Sequence, residues 1–310
     1  MSGETQLRFE CFGGAVEVRA DGAGAPAALE AARARLLDAH SRLSRFDPQS
    51  ELSLLNRDPR SAVPASPLLR HLATAVYEAG ALSGGLVDGT LLREIERAGY
   101  IESLAVGSLS EPGPIALSPP PHPAGPSARA SWCAIGVDDE QGTVIRPPGV
   151  QIDGGGLAKG LLADLVGAEL ARFRSFAVEC CGDLRLGGAA RRERTILVSD
   201  PRGGEPVEQL RLREGAVATS GVTRRSWTGP NGEPAHQIID PRSSRPAYTG
   251  VVQATAIAPT ALHAEVYAKA ALLAGPAAGI EWLPHGGVLV LDDGSVETVR
   301  SRRAEPEPSR

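Results

Sequence analysis

The sequence has few cysteines, and their spacing argues against the sites that cysteine pairs usually build. Among 310 residues there are four, at Cys11, Cys133, Cys180 and Cys181, and none forms a CxxC pair. This pattern disfavours a zinc site and a disulfide framework. It favours buried free thiols in a reducing compartment, so we expect a cytoplasmic protein.

Long hydrophobic runs and an excess of positive charge are also missing. No apolar run approaches the ~20 residues needed to span a bilayer, and the N-terminus, MSGETQLRFE, lacks the basic start and apolar core of a signal peptide. The formal net charge is −5, with no basic block. Without that charge, the attraction that drives non-specific nucleic-acid binding is absent. We predict neither a membrane nor a nucleic-acid partner.

Strand and helix patterns are intermixed along the chain. Apolar and polar residues alternate over 7–19, which predicts an opening strand. Helical spacing over 26–44, from Ser66 to Gly84 and over about 259–274 predicts three helices. The order is not a strict βαβ alternation. It favours an α/β fold of the mixed α+β kind, with a mixed sheet flanked by helices.

The composition predicts one domain, residues 1–300, with two irregular segments. Residues 111–129 are rich in Pro, Ala and Ser, which is typical of a surface insertion or flexible loop. Residues 301–310 are charged and contain proline, so we expect a disordered tail.

The most informative segment runs from Asp153 to Gly160 and reads DGGGLAKG. A short strand leads into three glycines and a helix, whose free N–H groups and positive dipole end suit a phosphate. Lys159 adds a cation there. The spacing is neither a Walker motif nor GxGxxG. The alternative is a tight strand-to-helix turn with a solvated lysine.

The last predicted helix carries charges on an apolar surface. Lys269 shares a narrow arc with Leu262, Val266 and Leu273, and Glu265 borders it. A helix that is apolar nearly all round is normally buried. Glu265 and Lys269 could simply form an i, i+4 ion pair worth ~0.2–0.5 kcal/mol. Their inward position favours a role in a site.

Two further segments carry candidate groups. Residues 236–242 place an imidazole, a carboxylate and a guanidinium, from His236, Asp240 and Arg242, in one turn region. An Asp-Pro turn can produce that pattern without any function. Phe46 follows a Ser-Arg pair and either stacks on a flat ring or belongs to the core.

Six blocks in a fixed order resemble the ApbE family, the FAD:protein FMN transferases, over nearly the whole chain. The blocks are Ser44–Asn56 (SRFDPQSELSLLN), Asp88–Thr90 (DGT), Asp153–Asp164 (DGGGLAKGLLAD), Cys181–Asp183 (CGD), Ala218–Gly221 (ATSG) and His236–Pro246 (HQIIDPRSSRP).

The resemblance implies a two-lobed architecture with FAD in a cleft. FMN moves from FAD to a Ser or Thr hydroxyl of a flavoprotein, and AMP leaves. The flavin and adenine contacts that it implies are Phe12, Phe46, Leu86, Val87, Asp88, Asp153, Lys159 and Ile239. It implies a magnesium ion at the diphosphate, held by the Gly156 carbonyl and by the last helix at Glu265. The catalytic residues we assign are His236, Asp240 and Lys269.

The chain departs from the family pattern at several of these positions. Glu265 and Lys269 stand where the family has Asp and Thr, and Gln237 stands where it has His. A protonated lysine cannot bind a metal, so we hypothesise that the Lys269 ammonium occupies the place of the ion. Two alternatives stay open: an FAD pyrophosphatase giving FMN and AMP, and an FAD-binding protein without turnover that stores or delivers flavin.

Overall fold

The structure is a computed structural model, and it describes residues 3–102, 121–230 and 232–301. The helices are α1 (Ala25–Arg42), α2 (Glu51–Arg57), α3 (Pro67–Ser83), α4 (Leu92–Arg97), α5 (Ala158–Leu170) and α6 (Ala261–Gly279). Short 3₁₀ turns cover Ser131–Ala134 and Ile280–Trp282. None of the helices in these ranges is both long and apolar enough to cross a membrane.

One eight-stranded sheet connects the two ends of the described chain. Its strands, in spatial order, are β1 (Thr5–Cys11), β2 (Gly14–Asp21), β6 (Ser175–Cys180), β7 (Asp183–Gly187), β10 (Gly215–Gly221), β15 (Val251–Ala258), β16 (Gly287–Leu291) and β17 (Val296–Val299). Each neighbouring pair is antiparallel. The α/β class with helices against a sheet is confirmed. The sheet itself is antiparallel and not mixed as predicted, because several consecutive strands are joined by tight turns.

Smaller sheets complete the strand set. They comprise β3 (Ala62–Pro64), β4 (Gly136–Asp138) and β5 (Thr143–Ile145) in one sheet, and β8 (Arg194–Val198) with β9 (Glu208–Leu212) in another. Two further pairs are β11 (Ser226–Thr228) with β12 (Pro234–His236) and β13 (Ile239–Asp240) with β14 (Arg245–Pro246).

The predicted opening strand is two strands joined by a tight turn. Phe12 and Gly13 adopt positive φ angles of 56° and 75°, which reverses the chain between β1 and β2. A hairpin turn of this kind normally needs Gly, Asn or Asp at both central positions. Phe12 gave no such signal, so the single strand predicted over 7–19 was wrong.

The two faces of the sheet are covered differently. Helices α1, α5 and α6 pack on one face, where Val18, Phe176 and Ala218 lie in the same hydrophobic cluster. On the other face, Ala177, Val217 and Leu186 pack with Leu212 of the β8–β9 hairpin. Side chains alternate between the faces along each strand. The helices therefore share one side of the sheet, and their N-termini can meet there.

The predicted helix boundaries near α3 and α6 agree with the structure. Ser66 Oγ accepts a hydrogen bond from Leu69 N, Pro67 is the first residue of α3, and Gly84 ends it at a φ of 60°. Helix α6 loses its helical geometry at Gly275, whose φ is 79°, next to the predicted end at 274.

Half of the predicted proline-rich insertion can be described. Residues 111–120 lie outside the described ranges. In the remainder, Ala124 N donates to Leu273 O at 2.9 Å and Gly125 N donates to Asp240 Oδ1 at 2.9 Å. This portion therefore joins α6 to the β13–β14 turn. The end of the predicted tail, 302–310, also lies outside the described residues.

Arg146 fastens the segment before the glycine-rich turn to α2. Its side chain is fully buried, and its guanidinium donates to the carbonyl oxygens of Leu55, Asp58 and Val150. A buried carbonyl that loses its donor carries the full penalty of desolvation. Arg146 therefore stabilises the connection that leads to Asp153.

We predict that Arg146→Met lowers the free energy of unfolding by roughly 3 kcal/mol, because one buried and two partly buried carbonyl oxygens lose their donor. Arg129→Met, at an exposed position, should change it by less than about 0.5 kcal/mol. Urea unfolding followed by circular dichroism measures both. Equal losses in the two variants would contradict a structural role for the Arg146 guanidinium.

Candidate active site

The glycine-rich turn is held from both sides. Asn56 makes two hydrogen bonds with Ile152, one to its carbonyl and one from its N–H, each 2.8 Å long. The next residue, Asp153, donates its N–H to Gly89 O at 2.8 Å. The 86–90 segment therefore lies against the start of the turn, and the N-terminus of α5 follows directly.

Two buried carboxylates and two mostly buried ammonium groups meet where α5 and α6 approach each other. We call these four side chains the charge cluster: Lys159, Asp183, Glu265 and Lys269. Lys159 Nζ contacts Asp183 Oδ2 and lies 3.4 Å from Glu265 Oε1, which is 3.9 Å from Lys269 Nζ. The carboxylate side chains are 1% and 4% exposed, and those of the lysines 16% and 14%. Lys159 is therefore paired rather than solvated.

Burial and mutual attraction set the charges in this cluster. Burial opposes protonation of Lys159, but Asp183 and Glu265 outweigh it, so its pKa is raised. Burial favours the neutral form of Glu265, but Lys159, Lys269 and the N–H of Gly160 lower its pKa overall. Burial raises the pKa of Asp183 to about 6, with Lys159 opposing and Glu265 adding to the rise. Burial lowers the pKa of Lys269, against the attraction of Glu265.

Both lysines of the protein belong to this cluster. The sequence contains 32 Lys and Arg residues in total, and only Lys159 and Lys269 are lysines. A lysine ammonium is a compact point charge, whereas a guanidinium is a broad planar fork. The chain therefore places its only two compact side-chain cations beside one turn.

Two glycines allow close contacts, one between the helices and one between the turn and the Lys269 side chain. A Cβ on Gly160 would lie 2.7 Å from the carbonyl oxygen of Ala261, so only glycine fits there. Gly160 N also donates to Glu265 Oε2 at 3.1 Å. A Cβ on Gly156 would lie 2.9 Å from Lys269 Cε. The Lys269 side chain therefore runs directly along the glycine-rich turn.

Asp164 couples α5 to the start of α6. Its two carboxylate oxygens accept hydrogen bonds from Ala261 N at 2.8 Å and Leu262 N at 2.9 Å. Arg185 Nε on β7 lies 3.2 Å from Asp164 Oδ1. A carboxylate at a helix N-terminus satisfies free N–H groups and the dipole. This explains why the glycine-rich block ends in an aspartate.

Arg225 is a site residue that the sequence reasoning missed. Its guanidinium donates to Phe12 O at 3.1 Å and to Gln237 Oε1 at 3.3 Å, and its charge acts on Lys159. Arg225 follows the ATSG block, and no pattern marks it. Asp183 was missed as a site residue too, although the CGD block contains it.

An aromatic and guanidinium group borders Asp153. The Arg45 guanidinium carbon lies 4.2 Å from the ring centre of Phe46 and 4.5 Å from that of Tyr100. Arg45 Nε is 3.6 Å from Asp153 Oδ1. Tyr100 in turn stacks on Trp227 with ring centres 5.0 Å apart. Phe46 is partly exposed and is joined to the glycine-rich turn through Arg45.

The other residues predicted to contact FAD are Leu86, Val87, Asp88 and Phe12. Leu86 and Val87 are buried. Asp88 Oδ1 accepts hydrogen bonds from the N–H and hydroxyl of Thr90, and burial raises the pKa of Asp88. The Phe12 ring meets His40 edge to face at 5.1 Å. Their roles toward FAD stay predictions.

The described hydrogen bonds of His236 and Asp240 are with the main chain. His236 Nε2 lies 2.9 Å from Ala247 O, and Ile238 N donates to its Nδ1 at 3.2 Å. Asp240 accepts from Arg242 N and Ser243 N as well as from Gly125 N. Ile239 is buried and pairs with Pro246. These predicted residues therefore bond within the 236–247 segment and to Gly125, and none of these hydrogen bonds involves a residue of the charge cluster.

The side chains at the implied magnesium site do not fit that ion as they stand. Within the described ranges, no group of three or more His, Cys, Asp or Glu residues is arranged to hold a metal. Glu265 already faces two ammonium groups and one N–H donor. A divalent cation at this carboxylate would meet two positive charges, which disfavours it.

The sequence is similar to those of known flavin transferases. The chain is 30% identical over 207 residues to an FAD:protein FMN transferase of Chlamydia trachomatis, covering 65% of this chain and 60% of that protein. It is 32% identical over 141 residues to an FAD:protein FMN transferase of Treponema pallidum, covering 41% and 39%. The chain thus aligns with less than two thirds of the length of these relatives.

Solved structures and a family model extend the likeness. The fold matches the ApbE protein of Thermotoga maritima with a TM-score of 0.79 at 26% identity, covering 97% of both chains. The apo flavinyl transferase ApbE of Pseudomonas stutzeri, at 20% identity, shares the fold with a TM-score of 0.74 over 97% of this chain and 95% of that one. A model of the ApbE family matches residues 12–291. Because this match covers nearly the whole chain, the protein belongs to the ApbE family.

Proposed function

We propose that this protein is an FAD:protein FMN transferase, which moves FMN from FAD to a Ser or Thr hydroxyl of a flavoprotein and releases AMP. The observation that carries the proposal is the charge cluster beside the glycine-rich turn and the N-terminus of α5. Two ammonium groups beside the positive end of the α5 dipole suit a diphosphate. The names of the Chlamydia and Treponema relatives support the same activity.

The reaction moves the FMN phosphoryl group from a diphosphate linkage, a phosphoanhydride, to a hydroxyl oxygen. The acceptor oxygen forms a bond to the phosphorus of the FMN half, and the bond from that phosphorus to the bridging oxygen breaks. AMP keeps the bridging oxygen, and the proton of the acceptor hydroxyl is released. The protein mainly has to position the groups and balance the charge that moves onto AMP.

Residues near the glycine-rich turn can position FAD and balance the charge of its diphosphate. Lys159 is the cation that we assign to the diphosphate, because Asp183 and Glu265 hold its ammonium beside the turn. A preorganised cation needs no rearrangement when charge develops. Phe46, Phe12 and the buried Leu86 and Val87 are the surfaces we assign to the flavin and adenine rings.

His236 and Asp240 fit a positioning role in the turn that leads away from the site. The ring of His236 spans Ile238 and Ala247, and Asp240 ties the same turn to Gly125. These contacts fix Gln237, which bonds to Arg225. Direct participation of His236 and Asp240 in catalysis stays a prediction.

We predict that Lys159→Met weakens FAD binding about 10- to 100-fold, because one charged partner of the diphosphate is lost. The single variant leaves Asp183 buried and unpaired, which is strongly destabilising. The double variant Lys159→Met/Asp183→Asn removes both charges and separates binding from folding. Quenching of FAD fluorescence measures the affinity, with Arg129→Met as the control. Unchanged affinity in the double variant would contradict the assignment of Lys159.

One incubation distinguishes FMN transfer from FAD hydrolysis and from FAD binding without turnover. We predict that the protein, FAD and a flavin-free flavoprotein with a Thr acceptor yield an acceptor heavier by one esterified FMN, together with free AMP. Intact-mass spectrometry and chromatography of nucleotides measure the two products. FMN and AMP without a heavier acceptor would show a pyrophosphatase instead. Bound FAD without AMP would show a binding protein.

The free energy of unfolding should depend on pH through His236. Burial lowers its pKa from the usual ~6.5 to about 4. Between these values the unfolded state takes up the proton first, so stability falls as the pH decreases from 6.5 to 4. We predict that the stability advantage of the native protein over His236→Asn shrinks by roughly 1–3 kcal/mol across this window. Urea unfolding at pH 7.5 and 4.5 measures it, and an equal difference at both would be contrary to this prediction.

A further inference from the structure

We propose that the Lys269 ammonium serves as the resident cation of this site, so that FAD binds without a divalent metal ion. The inference rests on the proposed function, because it names the group that meets the FAD diphosphate. It concerns position 269, where an ammonium group stands in place of the Thr hydroxyl that the family resemblance implies.

The first observation is where the Lys269 side chain lies. It leaves α6 and runs along the glycine-rich turn, with Cε 2.9 Å and Nζ 3.5 Å from the place a Cβ on Gly156 would take. The resemblance puts the magnesium ligands at the Gly156 carbonyl and on α6. The Lys269 ammonium therefore lies between the two elements that would share the ion.

The second observation is the environment of the carboxylate. Glu265 Oε1 is 3.9 Å from Lys269 Nζ and 3.4 Å from Lys159 Nζ, while Oε2 accepts from Gly160 N. Like charges that share one buried carboxylate repel each other strongly, because the effective dielectric of a protein is lower than that of water. The Glu265 carboxylate already interacts with two ammonium groups and one main-chain N–H. A divalent cation bound to it would repel both lysines.

The third observation is the charge balance. Lys159 and Lys269 offset Asp183 and Glu265, whereas a Thr at 269 with a bound magnesium ion would leave the same place one unit more positive. Arg225 lies at this location, with its guanidinium on Phe12 O and its charge felt by Lys159.

The test compares FAD binding with and without metal. We expect the dissociation constant of the native protein for FAD, from fluorescence quenching, to agree within about twofold in EDTA and in magnesium chloride. Lys269→Thr should bind FAD at least tenfold more weakly in EDTA and recover in magnesium, because Thr offers an oxygen ligand in place of the ammonium. His263→Thr, on the same helix, is the matched control and should behave as the native protein.

The outcomes separate the inference from the proposed function. If EDTA removes FAD binding by the native protein and magnesium restores it, lysine substitution is wrong while the proposed function stands. If the native protein binds no FAD in either buffer, the proposed function fails and this inference with it.

A second readout does not depend on any variant folding. Protein made with lysine carrying ¹³C at Cε gives one signal from each of the two lysines. We expect both signals to shift when FAD is added in EDTA, and neither to shift when magnesium is added alone. A Lys269 signal that ignores FAD while that of Lys159 moves would overturn the inference.

Discussion

Two carboxylates and two ammonium groups buried together between α5 and α6 are the constraint on which the rest of the site depends. Isolated buried charges are strongly unfavourable, and removing one partner typically costs several kcal/mol. Asp183 reaches the cluster from the sheet, Lys159 from α5 and Glu265 from α6. Because each element supplies a charge that the others must balance, the sheet and both helices have one favourable arrangement at this point.

Much of this arrangement could be predicted from the sequence. The glycine-rich turn, the inward-facing Lys269 and the helix ends near Ser66 and Gly84 follow from local patterns that act over a few residues. Arg225 could not be predicted, because its partners, Phe12 and Gln237, come together only in the folded chain. Local signals also fail when a residue adopts a conformation that its type disfavours, as the turn at Phe12 shows.

The environment of Lys159 likewise depends on a contact that forms only in the folded chain. Its sequence context is compatible with a solvated lysine or with a phosphate site, since both place a cation after a turn. The deciding partner, Asp183, is 24 residues away in the chain. In the folded protein the ammonium is held before any ligand arrives. Such preorganisation favours binding of an anion, because little reorganisation accompanies it.

The contact at Gly160 has a consequence for how sites of this type diverge. Main chain meets main chain where α5 crosses the start of α6, leaving no space for even a methyl group. The spacing between the helices is thus independent of the side chains that project from them. Charged side chains near this contact can therefore be substituted without moving the backbone. Replacing a bound metal ion by a lysine ammonium then requires one substitution and no change in the helix positions.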